Sequence, residues 1–373
     1  MLWRLRAAEV RTLSLHRISA ADALARYTEF DCVIDARSES EHAEDHLPGA
    51  VNWPTLSDAE RELVGTEYKR LSPFDARKRG AALAAMNIAR HVQNHVMPHP
   101  RGWRPLVYCW RGGQRSGSLA LVLGEIGFGV CVLEGGYRAF RRAVLEHLLS
   151  LPATLHYRVL CGPTGSAKSR LLQALAAQGA QVLDLEALAC HRGSVLGPLP
   201  GQPQPSQKAF ETAIWQALRG FDSTRPVFAE SESRTIGRLR VPEPLLVQLR
   251  ASACIRLHME LPVRVAFLLQ DYPHFVADAE LFCQQLQMLV ELRGAQTVQR
   301  WQTMARAQAA APGTSPDTLA QVVQELLEQH YDPVYLRSMQ RNYAQFDAAL
   351  PLQLADARAD TLQRQAQALL VAG

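Results

Sequence analysis

Two short loops, each predicted to join a buried strand to a helix, constrain the fold of this chain more than any other feature. The first starts at Cys109, directly after the apolar run Pro105–Tyr108. The second spans Gly162–Ser169 and follows the apolar run Tyr157–Cys161. Parallel sheets with both faces covered are built from strands that alternate with helices in this way. The sequence therefore predicts an α/β fold with parallel sheets.

The length of 373 residues is enough for two domains of ordinary size. A boundary is predicted near Ser150, so that residues 1–150 form a parallel-sheet domain with a helical insertion at about 55–100. Residues 151–373 are predicted to form a second α/β domain, which is mainly helical from about residue 262. Strands are expected at residues 32–38, 105–108, 130–133, 157–161, 180–185, 226–230 and 255–259.

The composition excludes several classes of protein. With 47% hydrophobic and 20% charged residues the chain is predicted to be globular, and no apolar run is long enough to span a membrane. The N-terminal residues lack the apolar core of a secretion signal, and the seven cysteines include no C-x-x-C pair. A disulfide framework and a zinc ribbon are therefore not expected, and the cytoplasm is the expected location. The net charge of +4 permits nucleic-acid binding without requiring it.

The loop after Cys109 is predicted to hold a reactive thiol. Backbone N–H groups of a glycine-containing turn point into such a loop, and the following helix adds partial positive charge. Together with Arg111 and Arg115, these groups favour the nucleophilic thiolate. The same N–H groups suit a tetrahedral oxyanion, and a buried structural cysteine is the alternative interpretation. The residues expected to hold the anion are Arg111, Gly112, Gly113, Gln114 and Arg115.

The loop Gly162–Ser169 has the spacing of a Walker A motif, except that Ala167 stands where the second glycine is usual. Its backbone N–H groups can approach phosphate oxygens, Lys168 supplies a positive charge, and the hydroxyl of Ser169 can bind Mg²⁺. We expect Ala167 to keep helical dihedral angles. A glycine-rich helix start without a ligand is the alternative. Diphosphate contacts are expected from Gly162, Gly165, Ser166, Lys168 and Ser169.

Acidic residues stand near the ends of two later predicted strands. Asp184 and Glu230 are expected at the same edge of the sheet as the phosphate loop, and Glu232 is a third candidate. Each could hold Mg²⁺ or act as a catalytic acid. Ordinary exposed acidic residues are the alternative interpretation.

The first domain resembles the rhodanese family over roughly residues 15–150. In that family the loop cysteine carries a chalcogen as a persulfide. Here the spacing from Cys109 to Arg115 is C-x5-R, one residue longer than in many sulfurtransferases, and this wider loop suits a tetrahedral phosphate-type group better. The related phosphatases share the wider loop but usually have histidine before the cysteine, where this chain has Tyr108. The other segments that carry the resemblance are Asp35-Ala36-Arg37, Glu41, His46–Ala50 and Leu133–Gly136.

The whole chain resembles the family of bacterial tRNA 2-selenouridine synthases, in which a rhodanese domain is fused to a P-loop NTPase-like domain. The resemblance implies a two-step reaction on 2-thiouridine at wobble position 34 of tRNAs for Lys, Glu and Gln. Geranyl diphosphate first alkylates the sulfur, and selenium from selenophosphate then replaces the geranylthio group to give 2-selenouridine. Beyond the two loops, the resemblance is carried by residues 58–66, 133–138, 188–194, 207, 210–211, 230–233 and 236–237.

The resemblance does not say which loop holds which donor, and we assign the donors as a hypothesis. The Gly162 loop is expected to hold geranyl diphosphate, with Mg²⁺, and the Cys109 loop to hold selenophosphate. Cys109 would either carry a perselenide or act while selenophosphate stays intact. A functional link to selenophosphate synthetase is also implied. Because single-stranded bases stack on aromatic and arginine planes, the candidates for stacking on the tRNA bases are Trp110, Tyr137 and Arg138. Arg192 is a candidate for binding the tRNA phosphates.

Two other functions fit parts of the pattern. A rhodanese-type sulfurtransferase or a cysteine phosphatase fused to an ATPase module would use the same two loops and would turn over ATP. A nucleotide-gated RNA-binding protein without chemistry would tolerate the loss of Cys109. The order and spacing of the matching segments favour the two-step tRNA modification.

Overall fold

A computed structural model describes residues 16–193, 197, 201–310 and 317–371. The chain forms two compact units, Met1–His147 and Leu148–Gly373. Each unit contains a five-stranded parallel sheet with helices, so the predicted α/β fold class is confirmed. Within the described ranges, no helix is both long enough and apolar enough to cross a membrane.

The first unit is built on a parallel sheet. Its strands are β1 (His16–Ile18), β2 (Cys32–Asp35), β3 (Val51–Asn52), β4 (Pro105–Tyr108) and β5 (Cys131–Leu133). They pair in the order β1-β5-β4-β2-β3. All four residues of β4 are buried, as expected of a central strand covered on both faces. Because the carboxyl ends of parallel strands meet at one edge, β4 delivers Cys109 to the edge at which β2 ends in Asp35.

Helices cover this sheet, and two of them lie in the predicted helical insertion. A capping box of Ser57 and Glu60 starts the first of these, and Ser72 caps the second. The second continues as a π-helix over Val92–Val96. The helices of this unit are α1 (Ala20–Ala25), α2 (Glu39–Glu44), α3 (Asp58–Arg70), α4 (Pro73–His91), α5 (Gln114–Ile126) and α6 (Gly136–Ser150).

The second unit has its own parallel sheet and a short antiparallel hairpin. Its strands are β6 (Tyr157–Cys161), β7 (Gln181–Leu183), β8 (Val227–Glu230), β9 (Thr235–Ile236), β10 (Leu239–Arg240), β11 (Ala253–His258) and β12 (Leu350–Gln353). The sheet has the order β12-β11-β6-β8-β7, and β9 pairs with β10. The phosphate loop therefore leaves the central strand β6, and Glu230 ends the neighbouring strand β8.

The helices of the second unit fall into two groups. α7 and α18 pack in one apolar core with the sheet. In contrast, α12 to α16 pack around a separate apolar cluster that contains Phe282 and Trp301. A π-helix over Leu327–Tyr331 joins α16 to α17. The helices are α7 (Lys168–Ala177), α8 (Leu185–Leu188), α9 (Gln207–Arg219), α10 (Glu243–Ala251), α11 (Leu261–Asp271), α12 (Pro273–Ala277), α13 (Ala279–Gln287), α14 (Val290–Arg293), α15 (Ala295–Ala310), α16 (Asp317–Leu326), α17 (Asp332–Asn342) and α18 (Ala359–Val371).

The prediction of a mainly helical region after residue 262 missed β12. This strand pairs in parallel with β11 at the edge of the sheet. Three of its four side chains are exposed, so it has neither the apolar run of a buried strand nor a regular alternation. Pro351 is tolerated because an edge strand can spare a backbone N–H group. The pairing with β11, and not the local pattern, makes this segment a strand.

Candidate functional site

Cys109 lies at the end of β4, 3% exposed, within a ring of hydrogen-bond donors. The hydroxyl of Ser116 donates to its Sγ at 3.1 Å, and the backbone N–H groups of Arg111, Gly113 and Ser116 also donate to the sulfur. Burial raises the pKa of the Cys109 thiol, but the hydrogen bonds outweigh burial and bring the pKa below its usual value. The predicted thiolate therefore has a physical basis in this loop.

The shape of the thiol loop depends on two glycines. Gly112 has φ = 68°, and a Cβ there would lie 2.6 Å from the carbonyl oxygen of Leu133. Gly136, in the turn after β5, has φ = 56°, and a Cβ there would collide with the carbonyl oxygen of Cys109. The N–H group of Tyr137 donates to the same carbonyl at 2.8 Å. The turn after β5 thus supports the loop, and a side chain at either glycine would force the two segments apart.

The polar side chains expected around the thiol differ in their contacts and in their exposure. Arg115 pairs with Glu41, at 2.7 Å between its Nη1 and the carboxylate Oε2. Arg111 and Gln114 are exposed. Because Glu41 compensates the charge of Arg115, an incoming anion would have to compete for this guanidinium. Hydrogen bonds, and not Arg115, oppose the effect of burial on the pKa of Cys109.

Tyr108, at the position where the related phosphatases have histidine, is buried beneath the loop. Its hydroxyl donates to Asp35 at 2.9 Å and accepts from the N–H group of Leu47 at 3.1 Å. Arg37 forms a bidentate pair with the same carboxylate, with an Nη2–Oδ2 distance of 2.6 Å and an Nε–Oδ1 distance of 2.9 Å. Tyr108 therefore supports the ends of β2 and β4 and does not face the thiol site.

The candidate tRNA contacts of the first unit differ in accessibility. Tyr137 is only 2% exposed, and its hydroxyl donates to Asp45 at 2.8 Å. The expectation that Tyr137 stacks on a base is therefore wrong for this conformation. Trp110 is half-buried and stacks on Tyr137, with ring centres 5.4 Å apart, whereas Arg138 is exposed. Only Trp110 and Arg138 of these three offer surface to a nucleic acid.

The phosphate loop connects β6 to α7 and contains two left-handed residues. Gly165 has φ = 80°, and a Cβ there would meet the side chain of Leu268 at 3.0 Å. Ala167 has φ = 60° and ψ = 26°, so the prediction that it keeps helical dihedral angles is wrong. This conformation costs a residue with a side chain about 1–2 kcal/mol, which glycine would avoid. Because α7 begins at the next residue, the turn at Ala167 sets how the helix N-terminus faces the loop.

The polar groups of the loop are arranged for an anionic ligand. The Nζ of Lys168 donates to the carbonyl oxygen of Gly162 at 2.8 Å and lies 5.9 Å from the centre of the Tyr335 ring. The Oγ of Ser166 is buried and has no hydrogen-bond partner within the described part of the chain. A buried hydroxyl without a partner costs about 1–3 kcal/mol, so this atom fits a contact with a ligand oxygen. The predicted contacts Ser166 and Lys168 are thus both part of this loop's interior.

Three glutamates converge beside the phosphate loop. Glu186 lies on α8, Glu230 ends β8, and Glu232 follows two residues later. One carboxylate oxygen from each lies within 4.8 Å of the others. The hydroxyl of Ser169 donates to Glu186 at 3.3 Å. Carboxylates and a hydroxyl are the ligands that Mg²⁺ prefers in proteins.

The electrostatics of these glutamates also favour a cation. Burial and the charges of the other two glutamates raise the pKa of Glu186 to about 9. Burial and the charge of Glu230 raise the pKa of Glu232 to about 8, although the charge of Lys168 opposes this. One oxygen of Glu230 is buried without a hydrogen-bond partner among the residues that the structure describes. A divalent cation would relieve this repulsion and satisfy that oxygen, so the group fits the proposed Mg²⁺.

Asp184, predicted as a cation ligand or catalytic acid, is not part of this group. Its Oδ1 accepts from the N–H group of Ala187 at 2.9 Å and thereby caps α8. The helix then carries Glu186 towards Glu230, a position that the sequence reasoning missed. The preference of aspartate for the N-cap, the position directly before a helix, was the signal that could have indicated α8.

The phosphate loop and the glutamates line a cavity of about 570 Å³ in the second unit. Arg192, a predicted tRNA contact, lies in this cavity, where it pairs with Asp271 and packs over the ring of Tyr272 at 4.6 Å. A guanidinium beside a phosphate loop suits the phosphate of a small ligand as well as that of a nucleic acid.

A buried arginine anchors the phosphate loop to the helical part of the second unit. Arg264 on α11 donates to the carbonyl oxygen of Thr164 from Nε at 2.9 Å and from Nη2 at 2.7 Å. The same guanidinium forms a bidentate pair with Asp332, at 2.8 Å and 2.6 Å. The position of the loop therefore depends on α11 and α17 as well as on the sheet.

Two family models match this chain. The rhodanese-like domain matches residues 19–143, and the tRNA 2-selenouridine synthase AAA domain matches residues 155–350. A protein of Bdellovibrio bacteriovorus named tRNA 2-selenouridine synthase is 31% identical over 346 residues, which are 83% of this chain and 89% of that protein. A protein of the same name from Shewanella halifaxensis is 30% identical over 87% of this chain and 93% of its own length. One from Nitrosomonas europaea is 35% identical over 64% of this chain and 63% of its own length.

Proposed function

Because the chain belongs to the tRNA 2-selenouridine synthase family, we propose that it replaces the sulfur of 2-thiouridine at the tRNA wobble position with selenium, through an S-geranyl intermediate. The observation that carries the proposal is the presence of two distinct sites in one chain. One holds a buried thiol whose pKa lies below its usual value, because hydrogen bonds outweigh the effect of burial. The other joins a phosphate loop to three glutamates. The first suits selenophosphate and the second suits a diphosphate donor.

In the first step, the thione sulfur of the base attacks C1 of geranyl diphosphate. A carbon–sulfur bond forms, the bond from C1 to the diphosphate oxygen breaks, diphosphate leaves, and the base loses its N3 proton to water. The Gly162 loop supports this step because Lys168 and the N-terminus of α7 can stabilise the negative charge on the leaving group. Arg192 lies in the same cavity, where the diphosphate would compete with Asp271 for its guanidinium.

The glutamate group supports the same step through Mg²⁺. Glu186, Glu230 and Glu232 would hold the ion together with the hydroxyl of Ser169. Mg²⁺ in this position supplies a positive charge that offsets the negative charge of the diphosphate. Without a cation, burial and the repulsion between these carboxylates raise the pKa values of Glu186 and Glu232, which favours protonation within the group.

In the second step, the selenium of selenophosphate attacks C2 of the base, a carbon–selenium bond forms, and the bond from C2 to the geranylthio sulfur breaks. Water then cleaves the phosphorus–selenium bond, so that phosphate leaves and 2-selenouridine remains. An alkylated sulfur leaves from C2 as a thiolate, which is a better leaving group than the sulfur of the original thione. The Cys109 loop supports this step because its hydrogen-bond donors suit a tetrahedral anion and its sulfur is available as thiolate. Ser116 and the backbone conformation at Gly112 and Gly136 maintain the geometry of this loop.

The test is a mass analysis of nucleosides from tRNA that contains 2-thiouridine. The tRNA is incubated with the protein, Mg²⁺, geranyl diphosphate and selenophosphate, and each donor is omitted in turn. We expect a geranylthio nucleoside without selenophosphate and 2-selenouridine once selenophosphate is added. An unchanged nucleoside at position 34 would refute the proposed function and would leave a sulfurtransferase or phosphatase joined to an ATPase as the alternative.

Two variants separate the steps. Lys168→Ala should slow geranylation, and Cys109→Ser should abolish selenation while geranylation continues. Lys69→Ala is the matched control for Lys168→Ala, because Lys69 is exposed on α3. Cys131→Ser is the matched control for Cys109→Ser, because Cys131 lies in β5 and is not part of the thiol loop. Normal geranylation by Lys168→Ala, or loss of both activities in a folded Cys109→Ser protein, would contradict this division of labour.

A further inference from the structure

An apolar cavity of about 60 Å³ adjoins the phosphate loop in the second unit. Its walls come from α11, α12, α13, α16 and the π-helix at Leu327–Tyr331. Among the described residues that line it, there is no charged side chain, and most are leucine, valine or phenylalanine. A cavity of this composition favours hydrocarbon over water or a polar ligand.

The apolar cavity adjoins the larger cavity of the phosphate loop. Thr164, Leu268, Tyr272 and Tyr331 line both. Thr164 belongs to the phosphate loop itself, and its carbonyl oxygen is held by Arg264. A ligand with an anionic head on the loop and an apolar tail of a few carbons would therefore place its tail beside these shared residues, next to the apolar cavity.

We propose that this apolar cavity binds the distal end of an isoprenoid tail whose diphosphate lies on the Gly162 loop. The inference rests on the proposed function, since it takes the diphosphate donor to be the ligand of that loop. A volume of about 60 Å³ has room for about four to six water-sized groups. It therefore holds one five-carbon prenyl unit, and the first prenyl unit of a ten-carbon tail lies at the shared edge beside Thr164.

A row of aromatic rings closes the cavity at its far end. The ring of Tyr272, at the shared edge, stacks on Phe275 with centres 5.8 Å apart, and Phe282 lies 5.4 Å beyond Phe275. Phe282 is 3% exposed and lines only the apolar cavity. It also belongs to the apolar cluster around Trp301, so that its ring is held by packing. Phe282 is thus the residue that limits the length of the tail.

The first test compares the affinities of geranyl diphosphate and inorganic pyrophosphate by calorimetry, with Mg²⁺ present. Each buried methylene tightens binding about fourfold, so that geranyl diphosphate should bind at least about tenfold more tightly than pyrophosphate. Val323→Phe on α16 fills the cavity from a half-buried position without touching the loop. It should bring the two affinities within about threefold of each other and leave that of pyrophosphate unchanged. Val247→Phe, at a 52% exposed position on α10, is the matched control.

A second variant tests the limit on tail length. Phe282→Leu shortens the closing side chain but keeps it apolar, so that the protein should remain folded. The preference for geranyl diphosphate over the fifteen-carbon farnesyl diphosphate should fall by about tenfold, since two or more additional methylenes can be buried. An unchanged preference in a folded Phe282→Leu protein would refute the role of Phe282.

The outcomes distinguish this inference from the function on which it rests. If pyrophosphate binds the unsubstituted protein but geranyl diphosphate binds no more tightly, or if Val323→Phe leaves the difference intact, the tail site is refuted and the diphosphate site stands. If neither ligand binds, the assignment of the donor to the Gly162 loop is refuted, and the tail site with it.

Discussion

A Ser116→Ala substitution should raise the pKa of the Cys109 thiol by about 1 to 2 units. The hydroxyl of Ser116 donates to the sulfur at 3.1 Å, and the backbone N–H groups of Arg111, Gly113 and residue 116 remain after the substitution. A hydrogen bond to a charged group contributes about 1.5–3 kcal/mol, and one pKa unit corresponds to about 1.4 kcal/mol. The sign follows because the bond stabilises the thiolate, so that its loss favours the protonated thiol.

The pKa can be read from the ultraviolet absorbance of the thiolate as the pH is raised. Each protein is compared with the same protein carrying Cys109→Ser, so that the signal of the other cysteines is subtracted. Ser118→Ala is a matched control, because Ser118 lies exposed on the same helix, α5. The absorbance does not depend on access of a reagent to the sulfur, which matters because Cys109 is only 3% exposed.

An unchanged pKa in a folded Ser116→Ala protein would refute this reasoning. The hydroxyl of Ser116 has a second acceptor, the carbonyl oxygen of Gly113 at 3.4 Å. A null result would mean that the proton points to that carbonyl and that the backbone N–H groups alone stabilise the thiolate. Because Ser116 is buried, a urea unfolding curve should accompany the titration to show that the variant is folded.

Three further predictions concern backbone strain, a buried ion pair and the glutamate group. Gly112→Ala should lower the free energy of unfolding of the first unit by about 2 kcal/mol or more, measured by urea unfolding, because φ is 68° there and a Cβ would meet a backbone carbonyl. Asp35→Asn should lower the same free energy of unfolding by about 3–5 kcal/mol, because the substitution leaves the guanidinium of Arg37 buried without its counter-charge. An unchanged midpoint of the urea unfolding curve would contradict this. Mg²⁺ binding should release protons at pH 7, and its affinity should rise with pH, because the pKa values of Glu186 and Glu232 are raised to about 9 and about 8 and the ion displaces those protons. Calorimetry in buffers of different ionisation enthalpy measures the number of protons released when Mg²⁺ binds. This number should be lower by about one for Glu232→Gln than for the unsubstituted protein, and equal proton release would refute the role of Glu232.

Much of the architecture was predictable from local patterns. The strands β4 and β6 begin and end at the predicted residues, because a buried parallel strand is a short apolar run bounded by a polar loop. The helix starts after both loops were predicted to within one residue for the same reason. β12 was missed because an exposed edge strand lacks that pattern, and its existence depends on β11.

Residues that act through a partner elsewhere in the chain were not predictable in this way. The sequence places Arg115 beside Cys109, but the position of Glu41 decides that its charge is compensated. Asp184 and Glu186 are both acidic and two residues apart. Only the short helix α8 determines that the first is a cap and that the second joins Glu230.

The positions of the two loops and the atoms that they present follow from the amino-acid sequence alone, because glycine, cysteine and lysine impose their chemistry at the positions they occupy. The tertiary structure decided the environment of those atoms. Arg264 reaches the carbonyl oxygen of Thr164, and helices α11, α12, α13 and α16 form most of the apolar cavity beside the same loop. Burial and electrostatic potential at a point are sums over all neighbours in space, and most of those neighbours are distant in sequence.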